Sequence, residues 1–260
     1  MITKLTVLGC GGSLGVPNVM GRHGECDMNN PKNFRTRTSA WIAHNGKNFL
    51  IDTSPDLRTQ LLRENLSGTP LDAVLYTHTH ADHCHGIDDL RPYYWNNQTL
   101  VNIYGHAEHM AELQKRFEYQ FIGSGNFELY KPILKANIVA GGPNIIADTE
   151  IQVIEMVHGD TPSMGYRIGD IAWCTDFKMI SDAGMKALGG VKIWFAAVSD
   201  WSDPHPSHAS LADVVALSEK LGSPQTYLIH LNPRFDYDIL NARTPPHITP
   251  AHDGLVVESR

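Results

Sequence analysis

His78-Thr79-His80-Ala81-Asp82-His83 places four side chains of the metal-ligand type within six residues. The cluster directly follows Ala73–Tyr76, an apolar run that predicts a buried strand. Neutral imidazoles and a carboxylate suit zinc, manganese or ferrous iron, and a cluster of this spacing can serve two ions. We therefore expect a metal site at the end of this strand rather than a polar loop with surface histidines.

The composition is that of an ordinary soluble globular protein. The chain has 260 residues, of which 42% are hydrophobic and 19% are charged. This length is sufficient for a substantial core, and we expect a single domain over residues 1–260. The formal net charge of −7 disfavours binding to duplex DNA or long RNA, but it permits a small anionic substrate at a metal site.

The spacing of the cysteines and the length of the apolar runs indicate the cellular compartment in which the protein works. Cys10, Cys26, Cys84 and Cys174 lack paired spacing, which fits a reducing environment better than a disulfide framework. The apolar run near the N-terminus is too short for a signal peptide and predicts a first strand. No stretch approaches the roughly 18 apolar residues that span a membrane. We expect a cytoplasmic protein without a membrane partner, and a homodimer is left open.

Short apolar runs alternate with longer amphipathic ones along the chain. The predicted strands are Leu5–Leu8, Ser39–Ala43, Asn48–Ile51, Ala73–Tyr76, Val101–Tyr104, Glu150–Val157, Gly165–Ile168, Ile171–Cys174, Ile193–Ala197 and Tyr227–Ile229. The predicted helices are Asp56–Glu64, Ala107–Phe117, Ser181–Leu188 and Ser210–Lys220, the last with Ser210 as a plausible N-cap. Because strands outnumber helices and often come in pairs, we expect sheets packed face to face with helices outside.

Two stretches look irregular and could border a cleft: Gly15–Arg37 and the proline-rich Thr244–His252. The glycine-rich run Gly9–Gly15 lacks the Gly-Lys-Ser/Thr ending of a phosphate-binding loop, so it predicts a tight turn after the first strand.

Further ligand-type residues follow other predicted strands. His158 ends one apolar run, Asp176 comes two residues after another, and His230 follows a third. Loops at the carboxyl ends of strands are where functional side chains collect. Any one of these residues alone would be better explained as structural. Their joint occurrence with the His78–His83 cluster favours a site that holds two ions.

The order of these residues resembles the metallo-β-lactamase superfamily, and the details are closest to the phosphonate-pathway cyclic-phosphate phosphodiesterases and their relatives. The resemblance covers most of the chain. Outside the ligands, it rests on motifs at Gly9–Pro17, Leu50–Asp56, Gly86–Pro92, His208–Leu211 and His230–Asn232 with Asp236-Tyr237.

The resemblance implies a fold and a ligand set. The fold would be a four-layer αββα sandwich, with two central mixed β-sheets flanked by helices and the metals at one edge. The Asp176 carboxylate would bridge two divalent ions, zinc or manganese, with iron also compatible. The ligands of one ion would be His78, His80 and His158, and those of the other would be Asp82, His83 and His230.

These expectations lead to a dinuclear metal-dependent phosphodiesterase. It would cleave a small cyclic or nucleotide-derived phosphodiester through a metal-bridging hydroxide. His208 is the candidate general acid, because imidazole titrates near neutral pH. Asp82 is expected to take part in catalysis as well as to bind metal. The alternatives are a glyoxalase-II-like thioesterase, a tRNA 3′-processing endonuclease, and a non-catalytic metal- or nucleotide-binding module.

Two interpretations are open for each of Asp52, Arg35 and Arg37. Asp52 either accepts a hydrogen bond from a ligand imidazole or forms a local Asx turn. Arg35 and Arg37 either contact a substrate phosphate or lie solvated at the surface. Cys84 is expected to be a packed thiol.

One departure from the resembling enzymes concerns a second kind of metal site. Those enzymes hold a structural zinc with several early-loop cysteines and a late histidine. Here that loop keeps His23 and one cysteine, Cys26, and Pro233 occupies the histidine's position. Since proline has no ligating side-chain atom, we expect the structural zinc to be absent.

Overall fold

The computed structural model describes residues 2–123, 131–203 and 205–259. The strands within these ranges are β1 (Thr3–Gly9), β2 (Ser39–His44), β3 (Lys47–Ile51), β4 (Ala73–Leu75), β5 (Val101–Gly105), β6 (Leu134–Ile138), β7 (Gly142–Ile146), β8 (Thr149–His158), β9 (Thr161–Ile168), β10 (Ile171–Cys174), β11 (Met179–Ile180), β12 (Ile193–Ala197), β13 (Gln225–Ile229), β14 (Ile248–Pro250) and β15 (Val256–Ser259).

The helices within the same ranges are α1 (Leu57–Arg63), α2 (Ala81–Cys84), α3 (Arg91–Asn97), α4 (Ala107–Arg116), α5 (Glu118–Phe121), α6 (Asp182–Leu188), α7 (Leu211–Lys220) and α8 (Tyr237–Arg243). Two short 3₁₀ turns lie at Pro31–Asn33 and Ile87–Leu90. No helix in the described part of the chain is long and apolar enough to cross a membrane.

The strands form two mixed sheets. In the described ranges, the first sheet has the order β15-β1-β2-β3-β4-β5-β6. The second has the order β11-β8-β9-β10-β12-β13-β14, and β7 adds to it by pairing with β8. Strands β3, β4 and β5 run parallel in the first sheet, as do β10, β12 and β13 in the second. The carboxyl ends of parallel strands meet at one edge, which is where a site can assemble.

Alternating burial shows how the layers are built. In β12, Phe195 belongs to the core between the two sheets, whereas Trp194 belongs to the layer on the outer face. This is the two-residue period of a strand that is covered on both sides. Helices α6, α7 and α8 cover the outer face of the second sheet. Helices α1, α3 and α4 cover that of the first. The expected four-layer αββα sandwich is confirmed.

The predicted elements correspond closely to the observed ones. Strands Ile171–Cys174 and Ile193–Ala197 match in both bounds, and the other predicted strands and helices differ by a few residues at their ends. The sequence pattern missed β6, β7, β11, β14 and β15, and it missed α2, α3, α5 and α8. Most of these are short edge elements or short helices with little periodicity. Strand β14 contains Pro250, which a strand tolerates at the edge of a sheet.

The N-terminus of α7 allows a test of stability. Ser210 Oγ accepts a hydrogen bond from Asp213 N at 3.2 Å, and the Asp213 carboxylate accepts one from Ser210 N at 3.0 Å. We expect Ser210→Ala to lower the free energy of unfolding by about 1 kcal/mol, because an N–H of the first turn loses its acceptor. Urea unfolding followed by circular dichroism measures this. Ser67→Ala, at an exposed turn position, is the control, and equal unfolding free energies for the two variants would contradict the prediction.

Candidate metal centre

The structure brings all seven predicted ligands together at one edge of the sandwich. They form two groups that share one carboxylate, and within each group the candidate ligand atoms lie within 4.8 Å of one another. The first group is His78, His80, His158 and Asp176. The second group is Asp82, His83, Asp176 and His230.

These side chains lie at or shortly after the ends of buried strands. His78 and His80 lie in the loop after β4, and the short helix α2 then carries Asp82 and His83. Of the remaining ligands, His158 is the last residue of β8, Asp176 lies two residues beyond β10, and His230 directly follows β13. Because each strand is held in the core, the candidate ligands are attached to rigid elements.

The backbone turns sharply at three residues of the site. Asp52, Asp176 and His230 have φ angles of 59°, 45° and 56°, in the left-handed region. Outside glycine this conformation costs on the order of 1–3 kcal/mol, so it persists where the surroundings enforce it. Each of these residues closely follows a strand, and the turn directs its side chain to the site.

Asp176 lies between the two groups. Its Oδ2 is 3.5 Å from His78 Nε2 and 3.6 Å from His83 Nε2, and its Oδ1 is 3.2 Å from His230 Nε2. Asp82 Oδ2 lies 3.4 Å from His230 Nε2. One carboxylate is thus within reach of both candidate ion positions.

The electrostatics keep the carboxylates ionised. Burial favours the protonated form of Asp176, yet His230, His83 and His78 hold its pKa well below the usual range. The pKa of Asp82 is also held far below its ordinary value, because the effects of His83 and His230 outweigh that of burial. Burial lowers the pKa of His78, which favours the neutral imidazole that binds metal.

Asp52 orients one of the ligands. It is completely buried, and its Oδ2 accepts a hydrogen bond from His83 Nδ1 at 2.7 Å while its Oδ1 accepts one from Thr77 N at 2.8 Å. The predicted hydrogen bond between Asp52 and the imidazole of a candidate ligand, His83, is confirmed. His83 Nε2 then faces the site, buried and without a hydrogen-bond partner in the described chain. An orphaned imidazole nitrogen of this kind fits a bound cation.

Two further contacts, which the predictions from the sequence do not include, orient two of the three histidines in the first group. His78 Nδ1 lies 3.1 Å from Thr77 Oγ1, which itself donates to Asp52 Oδ2. His158 Nδ1 donates to the Ser207 carbonyl at 2.8 Å. In both histidines Nε2 points toward the site, where it lies 3.0 Å (His78) or 3.3 Å (His158) from His80 Nδ1. The Thr77 contact can be predicted from the sequence, because a hydroxyl residue directly precedes His78. The Ser207 contact cannot, because every residue has a backbone carbonyl.

His208 lies beside the ligands, as its predicted role requires. Its ring centroid is 4.6 Å from that of His158 and 5.4 Å from that of His230. It lines a cavity of about 350 Å³ with Ser13, Asn232 and several other polar residues. Burial lowers the pKa of His208 to about 4, so the ring is neutral at pH 7 before a substrate binds.

Arg35 fits neither of its predicted interpretations, whereas Arg37 is partly exposed, as the surface interpretation expects. Arg35 is 3% exposed, and its guanidinium donates to the Phe235 carbonyl at 2.7 Å and to Asn33 Oδ1 at 2.9 Å. A buried charge needs such acceptors, and here they connect the early loop to the loop after β13. Arg37 forms an ion pair with Asp56 at 2.8 Å.

The cysteines next to the site are packed thiols. Cys26 Sγ lies 3.5 Å from the Pro233 carbonyl, and His23 Nδ1 lies 2.9 Å from the Cys26 carbonyl. Neither residue belongs to a candidate metal group in the described chain, and the absence of a structural zinc stays a prediction. Cys84 is buried, and burial raises the pKa of its thiol to about 11, as expected for an unreactive cysteine.

Comparisons with known proteins agree with this arrangement. The family model described as a beta-lactamase superfamily domain matches residues 47–231. A crystal structure of a new diphosphatase from the PhnP family is 34% identical, covers 100% of this chain and 98% of its own, and superposes with a TM-score of 0.87. The metallo-β-lactamase fold protein YhfI from Bacillus subtilis is 17% identical over the full length of both chains, with a TM-score of 0.73, a likeness of fold alone.

A curated relative has a different name. An octanoyltransferase of Porphyromonas gingivalis is 34% identical over 255 residues, which is 97% of this chain. The match covers 51% of that protein, so the chain spans about half the length of this relative.

Asp52 allows a test of metal affinity. We expect Asp52→Asn to weaken divalent metal binding roughly 10- to 100-fold, because the ligand His83 loses its charged hydrogen-bond acceptor. Competition between the metal-free protein and a chromogenic chelator measures the dissociation constants. Asp148→Asn is the matched control, since Asp148 also has a left-handed backbone, with φ of 61°, but is exposed and distant from the ligands. Unchanged affinity in Asp52→Asn would refute the orienting role.

Proposed function

This chain belongs to the metallo-β-lactamase superfamily of hydrolases, and we propose that it is a dinuclear metal-dependent phosphodiesterase with a small substrate. The observation that carries the proposal is the Asp176 carboxylate, which contacts histidines of both ligand groups. Two adjacent ion positions that share a carboxylate are typical of sites that hydrolyse phosphate esters.

The donor set is suited to a pair of divalent cations. Five imidazoles and two carboxylates offer nitrogen and oxygen atoms without thiolate, which fits zinc, manganese or iron. Bound ions would lower the pKa of a water molecule and neutralise the charge that develops on phosphate oxygens. The chain contributes ionised Asp82 and Asp176, the His78 imidazole, whose pKa is lowered by burial, and the buried contact of Asp52 that holds His83 in place.

His208 is placed to act on the leaving group. Its ring packs against His158 of one group and His230 of the other, and it faces the adjacent cavity. From this position, its role in the proposed reaction is that of general acid. The negative charge of a bound phosphodiester would raise the pKa of the ring, so that the ring takes up a proton from solvent and passes it to the departing ester oxygen.

The substrate class is supported by the cavity and by the comparison. A volume of about 350 Å³ suits a small ester rather than a polymer, and its lining includes Ser13, Asn232 and Arg234. The net charge of −7 disfavours a long nucleic acid. The structure that is 34% identical over nearly its whole length is named a diphosphatase of the PhnP family.

Hydrolysis of a generic diester tests the proposal directly. We expect the protein loaded with Mn²⁺ or Zn²⁺ to hydrolyse bis-p-nitrophenyl phosphate, and we expect Asp176→Asn to be inactive because both ion positions lose a ligand. Release of p-nitrophenolate is followed by absorbance, with Asp148→Asn as the active control. Turnover of the loaded wild type no faster than that of the metal salt alone would rule the proposal out.

The role of His208 is tested by comparing leaving groups. We expect His208→Ala to retain the wild-type metal content and to slow cleavage of a 2′,3′-cyclic phosphodiester about 100-fold or more, because its alkoxide needs a proton. Cleavage of bis-p-nitrophenyl phosphate should slow less, since p-nitrophenolate leaves without one. Loss of metal from the variant, or equal slowing of both substrates, would assign His208 a different role.

Thioester hydrolysis is the second candidate, and the name of the curated relative favours it. An octanoyl group is an acyl group, and the same site could hydrolyse its thioester. Because the match covers 51% of that relative, its activity can reside in the other half. Hydrolysis of an octanoyl thioester without any phosphodiester turnover would replace the leading proposal with this one.

A further inference from the structure

Helix α4 contacts the loops of the first ligand group through two side chains. His109 Nε2 donates to the Pro162 carbonyl at 2.8 Å, and Arg116 Nη1 donates to the Thr79 carbonyl at 2.6 Å. The two donors are seven residues apart, which places them on one face of the helix two turns from each other. Neither residue is a ligand in either group.

The Arg116 contact falls between two ligands. Thr79 is the residue between His78 and His80, and it is buried. The Cys84 thiol also points to the Thr79 carbonyl, at 3.4 Å. Since a backbone carbonyl with two donors is held firmly, this contact restricts the direction in which both neighbouring imidazoles leave the chain.

The His109 contact falls next to the third ligand. Pro162 belongs to β9 and pairs with Val157 of β8, beside the pair formed by His158 and Thr161. His109 is 3% exposed, so this hydrogen bond is shielded from water. It joins the helix to the end of the β8–β9 hairpin, which carries His158.

The helix is a rigid support for these contacts. Met110 and Leu113 are buried in the layer that also contains Ile103 of β5 and Leu134 of β6. The donors are therefore mounted on an element that packs directly on the first sheet.

We propose that His109 and Arg116 are positioning residues for the first ligand group, so that α4 controls the affinity for one ion of the pair. The inference rests on the proposed two-ion centre. In the second group, His83 is oriented by Asp52 and not by a residue of α4. His230, also of the second group, directly follows β13 of the second sheet. Loss of the α4 contacts should therefore weaken one binding step and leave the other unchanged.

The experiment is a metal titration of the metal-free full-length protein with Zn²⁺ against a chromogenic chelator. We expect two binding steps in the wild type. Arg116→Met and His109→Phe should each weaken one step roughly tenfold and leave the second step as it is. Arg116→Lys and His109→Gln keep a donor and should recover most of that affinity. Thermal unfolding of the metal-free variants is measured in parallel.

A control on the same helix separates this role from general stability. Glu112→Gln removes the ion-pair partner of Arg116, 2.7 Å away, but leaves the donor to Thr79. It should titrate like the wild type.

Three outcomes would overturn the inference or its basis. Equal weakening of both steps, in proportion to a lower unfolding temperature, would make α4 merely structural, and unchanged steps would remove the role altogether. A wild type that binds fewer than two ions would overturn the proposed two-ion centre itself.

Discussion

Asp52 and Asp176 are carboxylates with almost no access to water, at 0% and 2% exposure. Burying an ionised group costs several kcal/mol unless donors or opposite charges surround it. Asp52 is surrounded by Thr77 and His83, and Asp176 by imidazoles of both ligand groups. The same contacts that stabilise the buried charges also direct the histidines inward. The folded edge therefore already holds the candidate ligands close together.

The sandwich supplies the rigidity that such a site requires. Parallel strands of both sheets end at the same edge, and their residues are packed on both faces. The ligands follow these ends directly, with left-handed backbone at Asp176 and His230. Conformational strain at these positions is tolerated because the surrounding core holds the strands in place. The Ser207 carbonyl accepts a hydrogen bond from His158, and Arg116 of α4 donates to the Thr79 carbonyl between His78 and His80.

Features that depend on local sequence could be predicted. Ile193–Ala197 was recognised as a strand because its residues are apolar throughout, and the His78–His83 cluster is visible within six residues. His158, Asp176 and His230 could be found because each follows an apolar run. Arg35 could not be interpreted in this way. Its acceptor is the carbonyl of Phe235, 200 residues further along the chain, and no local pattern reports such a contact.

The types of candidate ligand, their order along the chain, and most of the strands and helices next to them can be read from the sequence. Those properties depend on side-chain chemistry and on short-range periodicity. The folded chain is needed to show that Asp176 faces both groups, that Thr77 and the Ser207 carbonyl contact histidines, and that α4 reaches the loop of the first group. Those contacts depend on backbone angles and on the packing of distant segments, because a hydrogen bond requires atoms to lie within about 3 Å in a favourable direction.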